Sequence, residues 1–218
     1  MQNNAESHGQ SPQIDPDEAA RDRLAIRDLL ENWVIWRDSG DWERFATVWH
    51  DDARMNATWF RSTAAEFIVG CKRAFDAGMV AIHSLGATSI DLLGSRAVAQ
   101  SRMQIIQRGT LEGIEVDVTC SGRFVDALEK RQGRWGMVLR QPVYELDRMT
   151  PVHGAQPLVL DRELLDSFPV GYRHLAYLQA KSGLPVYNDL PGTRGEAISA
   201  LHAGLSHWLG GGDDSCLG

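Results

Sequence analysis

Apolar residues recur at helical spacing in the N-terminal part of the chain. Between residues 20 and 38 they fall every three or four positions, at Ile26, Leu29, Leu30, Trp33 and Val34. This period predicts an amphipathic helix. The same reasoning predicts a short helix over residues 41–49 and a longer one over residues 63–76, with a strand at residues 54–60 between them.

Near residue 80 the apolar period changes from helical to two. Four segments alternate in this way between glycine-containing turns, which predicts strands at residues 81–93, 97–108, 114–128 and 134–147. Three helices followed by an antiparallel meander make an α+β arrangement. Such a sheet buries one face by curling around the helices, so we expect a cone-shaped cavity that is open at one end.

The composition shifts after residue 150, where prolines separate short helical patterns at residues 162–168, 173–182 and 194–209. We therefore expect a main domain over residues 20–150 and a helical C-terminal extension over residues 151–218. Two roles are open for the extension. It could cover the mouth of the cavity as a lid, or bury its leucines and Trp208 at a subunit interface.

Composition and charge limit the partners and the cellular compartment that we expect for the protein. The 218 residues carry a formal net charge of −7, which argues against nucleic acid or an anionic membrane as a partner. No apolar stretch reaches the roughly 18 residues of a membrane span. The polar residues 1–19 lack the apolar core of a signal peptide and predict a disordered arm. The 3 cysteines are far apart and lack metal-ligand spacing, as expected for reduced thiols in a cytoplasmic protein.

Two residues stand out as candidates for chemistry. Asp38 falls at the C-terminal end of the first helix, where the helix macrodipole disfavours a carboxylate. Asp41 caps the next helix, whereas Asp38 has no visible structural role. Of the 7 histidines, His83 stands inside an apolar strand segment. Taken alone, a strand histidine is more often structural than catalytic, so both interpretations stay open at this point.

The order of the motifs resembles the SnoaL-like branch of the NTF2-like superfamily, and within it the scytalone dehydratase and hexachlorocyclohexane dehydrochlorinase group. The resemblance covers roughly residues 20–150. It is carried by Asp38-Ser39-Gly40-Asp41-Trp42 between two helices, Asp51-Asp52-Ala53, His83 with Gly86 and Thr88, Gly122-Arg123-Phe124-Val125-Asp126, and Gly133-Arg134-Trp135. It implies an NTF2-like cone, in which three N-terminal helices pack in a curled mixed or antiparallel sheet.

The resemblance also implies a mechanism. In those two enzymes an aspartate at the end of the first helix holds a histidine at the start of the sheet, and the histidine removes a proton while a leaving group departs. Asp38 and His83 match these positions, so we expect a hydrogen bond of ~2.6–3.2 Å between them. The second histidine and the water-positioning tyrosines of scytalone dehydratase have no counterparts here.

Strand alternation predicts the walls of the cavity, if Phe124 faces inward as its position in the family implies. The predicted substrate-binding residues are Trp33, Trp59, Arg102, Ile106, Arg108, Phe124, Arg140 and Tyr144. For the tryptophans, plain core packing is an equal alternative. Inward arginines need acceptors. Either acidic side chains supply them or one arginine binds a substrate oxyanion, and for that role we select Arg140.

These inferences predict a cofactor-independent lyase that acts on a small hydrophobic, aromatic or alicyclic molecule and needs no metal. The step removes water or halide, or releases formaldehyde by retro-aldol cleavage, a reaction of relatives that degrade lignin-derived dimers. An isomerase or polyketide cyclase of the same fold is one alternative. A non-catalytic subunit like the β subunits of ring-hydroxylating dioxygenases is another. We expect a small-molecule substrate and a homo-oligomer, either a dimer or a trimer. An epoxide hydrolase of this fold needs an Asp–Arg–Asp cluster, for which the sequence offers no second aspartate in the cone.

Overall fold

The first helix begins earlier than its apolar period indicates. The computed structural model describes residues 15–153 and 157–217, and helix α1 spans Pro16–Ser39. Asp15 caps its first turn and proline takes its first position, a favourable start for a helix. The prediction of a disordered arm over residues 1–19 is therefore wrong for residues 16–19. Its first 14 residues lie outside the described part of the chain.

Two further helices complete the N-terminal group. Helix α1 ends where Gly40 adopts a left-handed backbone conformation with φ of 75°, which a glycine takes without strain. Asp41 then caps α2 (Trp42–Thr47) by accepting a hydrogen bond from the backbone N–H of Arg44, as predicted. Thr63 caps α3 (Ala64–Asp76) in the same way.

Six strands form one curled sheet in the order β2-β1-β6-β5-β4-β3. Their bounds are Trp49–Asn56 (β1), Arg61–Thr63 (β2), Val80–Leu93 (β3), Arg96–Leu111 (β4), Ile114–Arg131 (β5) and Arg134–Pro151 (β6). Strand β1 pairs in parallel with β6, and the other pairings are antiparallel. The α+β class and the mixed sheet are confirmed. The strand predicted at residues 54–60 is misplaced, because residues 57–60 form the turn between β1 and β2.

Tight turns set the register of the long hairpins. Glu112-Gly113 joins β4 to β5 and Gln132-Gly133 joins β5 to β6, with positive φ at both residues of each turn. This is the conformation of two-residue hairpin loops, whose twist matches that of the strands. The pairing Leu111 with Ile114 places Ser101 opposite Phe124. Odd-numbered residues of β4 between 101 and 109 therefore share the face of Phe124.

The extension lies on both faces of the sheet. Helices α4 (Arg162–Asp166) and α5 (Arg173–Lys181) join the core formed by α1–α3 and the concave face. Helix α6 (Glu196–Leu209) packs on the opposite face through Ile198, Leu205 and Trp208. Leu205 and Trp208 are thus covered by their own chain, and Leu201 is partly covered. Whether the extension also forms a subunit interface stays open. The expected homo-oligomer itself stays a prediction.

The segment between α5 and α6 is tied to the turn that follows β1. The backbone N–H of Tyr187 donates to the carbonyl of Thr58 at 2.8 Å. Arg61 makes two hydrogen bonds to the carboxylate of Asp189, at 2.6 and 3.0 Å. We call residues 182–195 the strap, because they hold the C-terminal end of α5 over the cone. Within the described residues, no helix is both long enough and apolar enough to cross a bilayer.

Candidate active site

Asp38 and His83 form the hydrogen bond that the sequence predicts. The Nδ1 atom of His83 lies 2.8 Å from one carboxylate oxygen of Asp38, and the backbone N–H of His83 donates to the other at 2.6 Å. Arg37 donates to the same carboxylate at 2.9 Å. These donors offset the unfavourable position of Asp38 at the end of α1, and the two contacts to His83 fix the orientation of the imidazole ring.

The surroundings keep His83 neutral and Asp38 charged. Burial lowers the pKa of His83 below its usual value, and the hydrogen bond to Asp38 opposes that shift only in part. Burial alone would raise the pKa of Asp38, but the His83 hydrogen bonds and the charge of Arg37 outweigh it and lower that pKa. A neutral imidazole that donates Nδ1–H to Asp38 leaves the lone pair on Nε2. This tautomer is assigned from the hydrogen bonds.

His83 lines a cavity inside the cone. Trp33 contacts the imidazole edge to face, with ring centroids 5.5 Å apart, and Phe124 stacks on it at 6.3 Å. About 500 Å³ of space free of protein atoms, including the part open to solvent, lies between the lining residues. The apolar walls are Trp33, Met55, Trp59, Phe67, Met79, Ile105, Phe124, Pro142 and Leu175.

Four of the predicted binding residues line this cavity. They are Trp33, Trp59, Phe124 and Tyr144. Burial raises the pKa of Tyr144, which keeps its hydroxyl protonated. The lining also includes four polar residues that the sequence analysis did not predict as binding residues, namely Arg37, Thr58, Gln107 and Gln179. Gln179 and Leu175 belong to α5, so the extension contributes part of the wall of this cavity. The lid role stays a prediction.

Three of the predicted binding residues are on the wrong face. Arg102, Ile106 and Arg108 alternate with the inward Ser101, Met103, Ile105 and Gln107 on β4. Arg102 pairs with Glu145, and Arg108 makes two hydrogen bonds to Asp117 on the outer surface. The sequence analysis aligned β4 with β5 one residue out of register. A shift of one residue moves every side chain of a strand to the other face of the sheet.

Arg140 lies on the predicted face but has an acidic partner. Its side chain and that of Asp126 are fully buried and joined by two hydrogen bonds of 2.8 Å. The guanidinium lies between the rings of Trp33 and Phe124, 4.2 and 4.1 Å from their centroids. The two rings line the cavity, whereas Arg140 behind them does not. Its Nη1 atom has no hydrogen-bond partner among the described residues.

Asp126 is the aspartate that the sequence analysis did not place in the cone. Continuing the alternation of β5 past Phe124 by two residues would have found it, because Asp126 shares the face of Phe124. It forms an Asp–Arg pair with Arg140, while Asp38 is engaged by His83 and Arg37.

A second Asp–His pair has the same local geometry. Asp147 accepts from the backbone N–H of His174 at 2.6 Å and lies 2.8 Å from its Nδ1 atom. It also accepts from the backbone N–H of Leu175. These N–H groups belong to the first turn of α5, so Asp147 caps the helix from strand β6. Neither member of the pair lines the cavity of His83.

The described residues contain no group of three or more histidine, cysteine or acidic side chains that could hold a metal ion. Cys71 and Cys120 are buried and unpaired. Burial raises the pKa of Cys71 to about 11, so this thiol stays protonated at neutral pH. Whether the protein works without a metal or cofactor stays a prediction.

Comparison with known proteins identifies the family. The sequence profile of the SnoaL-like domain matches residues 18–141. The chain belongs to the SnoaL-like domain family. A PEP2-like protein of Fusarium vanettenii is 37% identical to this SnoaL-like protein over 90% of the chain and 89% of the relative. Pea pathogenicity protein 2 of the same fungus is 38% identical, over 82% and 78% of the two chains.

Solved structures share the fold of this SnoaL-like protein. A candidate scytalone dehydratase from Novosphingobium aromaticivorans superposes with a TM-score of 0.54 at 19% identity, covering 67% of this chain and 99% of that one. A hexachlorocyclohexane dehydrochlorinase from Novosphingobium barchaimii gives 0.53 at 18% identity, with coverage of 67% and 100%. At this identity the likeness establishes the NTF2-like fold, which agrees with the resemblance found in the sequence.

Proposed function

We propose that this SnoaL-like protein is a lyase that removes a proton from a small, largely hydrophobic molecule and eliminates a leaving group. The observation that carries the proposal is the neutral His83, held by Asp38 at 2.8 Å inside an aromatic cavity. General-base catalysis requires an unprotonated nitrogen within reach of the substrate. The Nε2 atom of His83 has no hydrogen-bond partner among the described residues, and His83 lines the cavity.

The Asp38 carboxylate assists His83 in two ways. It keeps the proton on Nδ1, which leaves Nε2 as the base, and its negative charge stabilises the imidazolium that forms when the substrate proton is taken. The aromatic walls and Leu175 of α5 surround the imidazole with apolar atoms, which strengthens this electrostatic interaction.

Tyr144 is the group suited to assist a leaving oxygen. It lines the same cavity, and its raised pKa keeps the hydroxyl protonated. Arg140 acts from behind the rings of Trp33 and Phe124. There its positive charge opposes protonation of His83 in the resting state.

The test is a panel of hydroxylated diaryl and alicyclic compounds, with products identified by mass. A lyase releases water, hydrogen halide or formaldehyde, whereas an isomerase leaves the mass unchanged. His83→Ala should lower kcat roughly 10²–10⁴-fold, the usual contribution of a general base.

The matched control is His153→Ala, because the His153 side chain is 84% exposed and pairs with Glu115 on the surface. This variant should keep full activity. Prolonged dialysis against EDTA should also leave turnover unchanged. Turnover by His83→Ala at the wild-type rate would remove the proposed mechanism.

A further inference from the structure

The cavity has an uncharged polar end built from three separate elements. Thr58 comes from the turn after β1, Gln107 from β4 and Gln179 from α5. Their exposed fractions are 1%, 7% and 2%. Buried amides and hydroxyls are costly unless they form hydrogen bonds. Their partners therefore show what this end of the cavity is built to hold.

The three side chains form a directed chain of hydrogen bonds. The hydroxyl of Thr58 donates to Oε1 of Gln179 at 2.6 Å. The Nε2 amide of Gln179 donates to Oε1 of Gln107 at 3.2 Å. Among the described residues, the Nε2 amide of Gln107 has no partner, and Gln107 lines the cavity. The chain therefore ends in an N–H₂ group that has no protein partner and is accessible from the cavity.

The free amide stands at a defined position relative to His83. In the antiparallel pair of β3 and β4, His83 is opposite Ile105 and Ala81 is opposite Gln107. His83 and Gln107 are therefore diagonal neighbours, a relation that corresponds to about 7–8 Å. Both side chains line the same cavity, so one small molecule can contact the two of them.

We infer that the amide of Gln107, held by Gln179 and Thr58, binds a neutral oxygen of the substrate. This deepens the proposed function and rests on it, because the oxygen would lie across one ring from the carbon that faces His83. The substrate class is then an alicyclic or aromatic molecule that carries a carbonyl or hydroxyl, rather than a pure halocarbon.

The charge distribution favours a neutral oxygen over a carboxylate. Among the described residues that line the cavity, Arg37 is the one arginine, and there is no lysine. Its Nη1 atom is already bound to Asp38 and to the carbonyl of Ala81. The Arg37 charge is therefore already balanced by the Asp38 carboxylate. An added anion at the Gln107 end would have no counter-charge of its own, and burying an uncompensated charge is strongly unfavourable.

A pair of probes that differ in one oxygen tests the inference. α-Tetralone and tetralin have the same bicyclic skeleton, and only the ketone can accept a hydrogen bond. Dissociation constants follow from quenching of tryptophan fluorescence, since Trp33 and Trp59 line the cavity. We expect the wild-type protein to bind the ketone about tenfold more tightly, as one or two added hydrogen bonds allow.

Gln107→Met should abolish this preference by weakening ketone binding while tetralin binding is kept. The matched control is Gln104→Met on the exposed outer face of the same strand, which should keep the preference. A preference that survives in Gln107→Met, or equal weakening of both probes, would overturn the inference. So would equal binding of both probes by the wild-type protein.

His83→Ala separates this inference from the proposed function. Its preference for the ketone should be unchanged, because the amide does not depend on the imidazole. If the enzyme assay fails while the preference is observed, the lyase proposal alone is wrong. If turnover is found without a preference, the recognition of oxygen by Gln107 is wrong.

Discussion

Asp38 stands where a helix disfavours negative charge, and the structure compensates it with donors from His83 and Arg37. That conflict between position and charge could be read from the sequence. So could the unusual place of His83 in an apolar strand. The role of Gln107 could not, because a glutamine in an alternating strand has no distinctive local signal, and its partner Gln179 lies 72 residues away.

The pH dependence of turnover follows from the lowered pKa of His83. The neutral imidazole is the base, so kcat/KM should be constant above this pKa and fall as pH decreases through it. The midpoint should lie below the usual histidine value of about 6.5, because burial lowers the pKa, with Arg37 and Arg140 adding to the shift and Asp38 opposing it. A pH–rate profile, with an NMR titration of the His83 ring, measures the midpoint.

Asp38→Asn provides the internal comparison for that titration. Loss of the carboxylate removes the contribution that raises the pKa of His83, so the midpoint should move further toward acid. The plateau rate should also fall, because the amide can hold the other tautomer. A wild-type midpoint at or above about 6.5 would contradict the assignment of His83 as a buried neutral base.

At the scale of elements, most helices and strands were predictable, whereas β1, β2 and the strand register were not. The period of apolar residues located α1, α3 and β3–β6 to within a few residues. Register depends on turn geometry and on irregularities. Shifts interrupt the pairing at Leu85/Thr88, Ser121/Gly122 and Ala127/Leu128. Recognising Glu112-Gly113 as a two-residue turn would have paired β4 and β5 correctly and placed Gln107 inside.

Helix α5 should depend on its cap from Asp147. Removing a capping side chain costs about 0.5–2 kcal/mol, and here the same carboxylate binds two N–H groups of the first turn. Asp147→Ala should therefore increase hydrogen exchange across residues 173–181 and weaken binding of α-tetralone. Hydrogen–deuterium exchange with mass spectrometry resolves this segment.

Asp161→Ala is the matched control for that experiment. Asp161 caps the short α4 in the same way, but α4 contributes no residue to the cavity. Asp161→Ala should therefore leave both the hydrogen exchange of α5 and the binding of α-tetralone unchanged. Equal effects of the two variants would show that α5 is not held specifically by Asp147.

At the scale of the whole molecule, the sheet carries two separate apolar layers. The cone and α5 form one, and α6 with the convex face forms the other. The sequence indicated that the leucines and Trp208 must be buried but not by what, since the amphipathic pattern of a helix does not identify its partner. A sheet face of the same chain and a second subunit satisfy that pattern equally.

Trp208→Ala should separate stability from binding. Its side chain is fully buried against the convex face, and truncating a buried tryptophan costs about 3–5 kcal/mol. Urea denaturation should show this loss, while α-tetralone affinity under native conditions stays near wild type. Leu146→Ala, at a side chain that is 59% exposed, should change neither. Loss of affinity at unchanged stability would contradict the separation of the two layers.

The strap has a consequence for the kinetics of access. Helix α5 is fastened to β6 by Asp147 at its N-terminal end and to the turn after β1 beyond its C-terminal end, and the chain then continues to α6 on the far face. It cannot swing away as a free arm, so entry past α5 requires these fastenings to open together. For small, abundant ligands that enter past α5, the observed association rate should level off at one value, set by the protein and shared by chemically unrelated molecules.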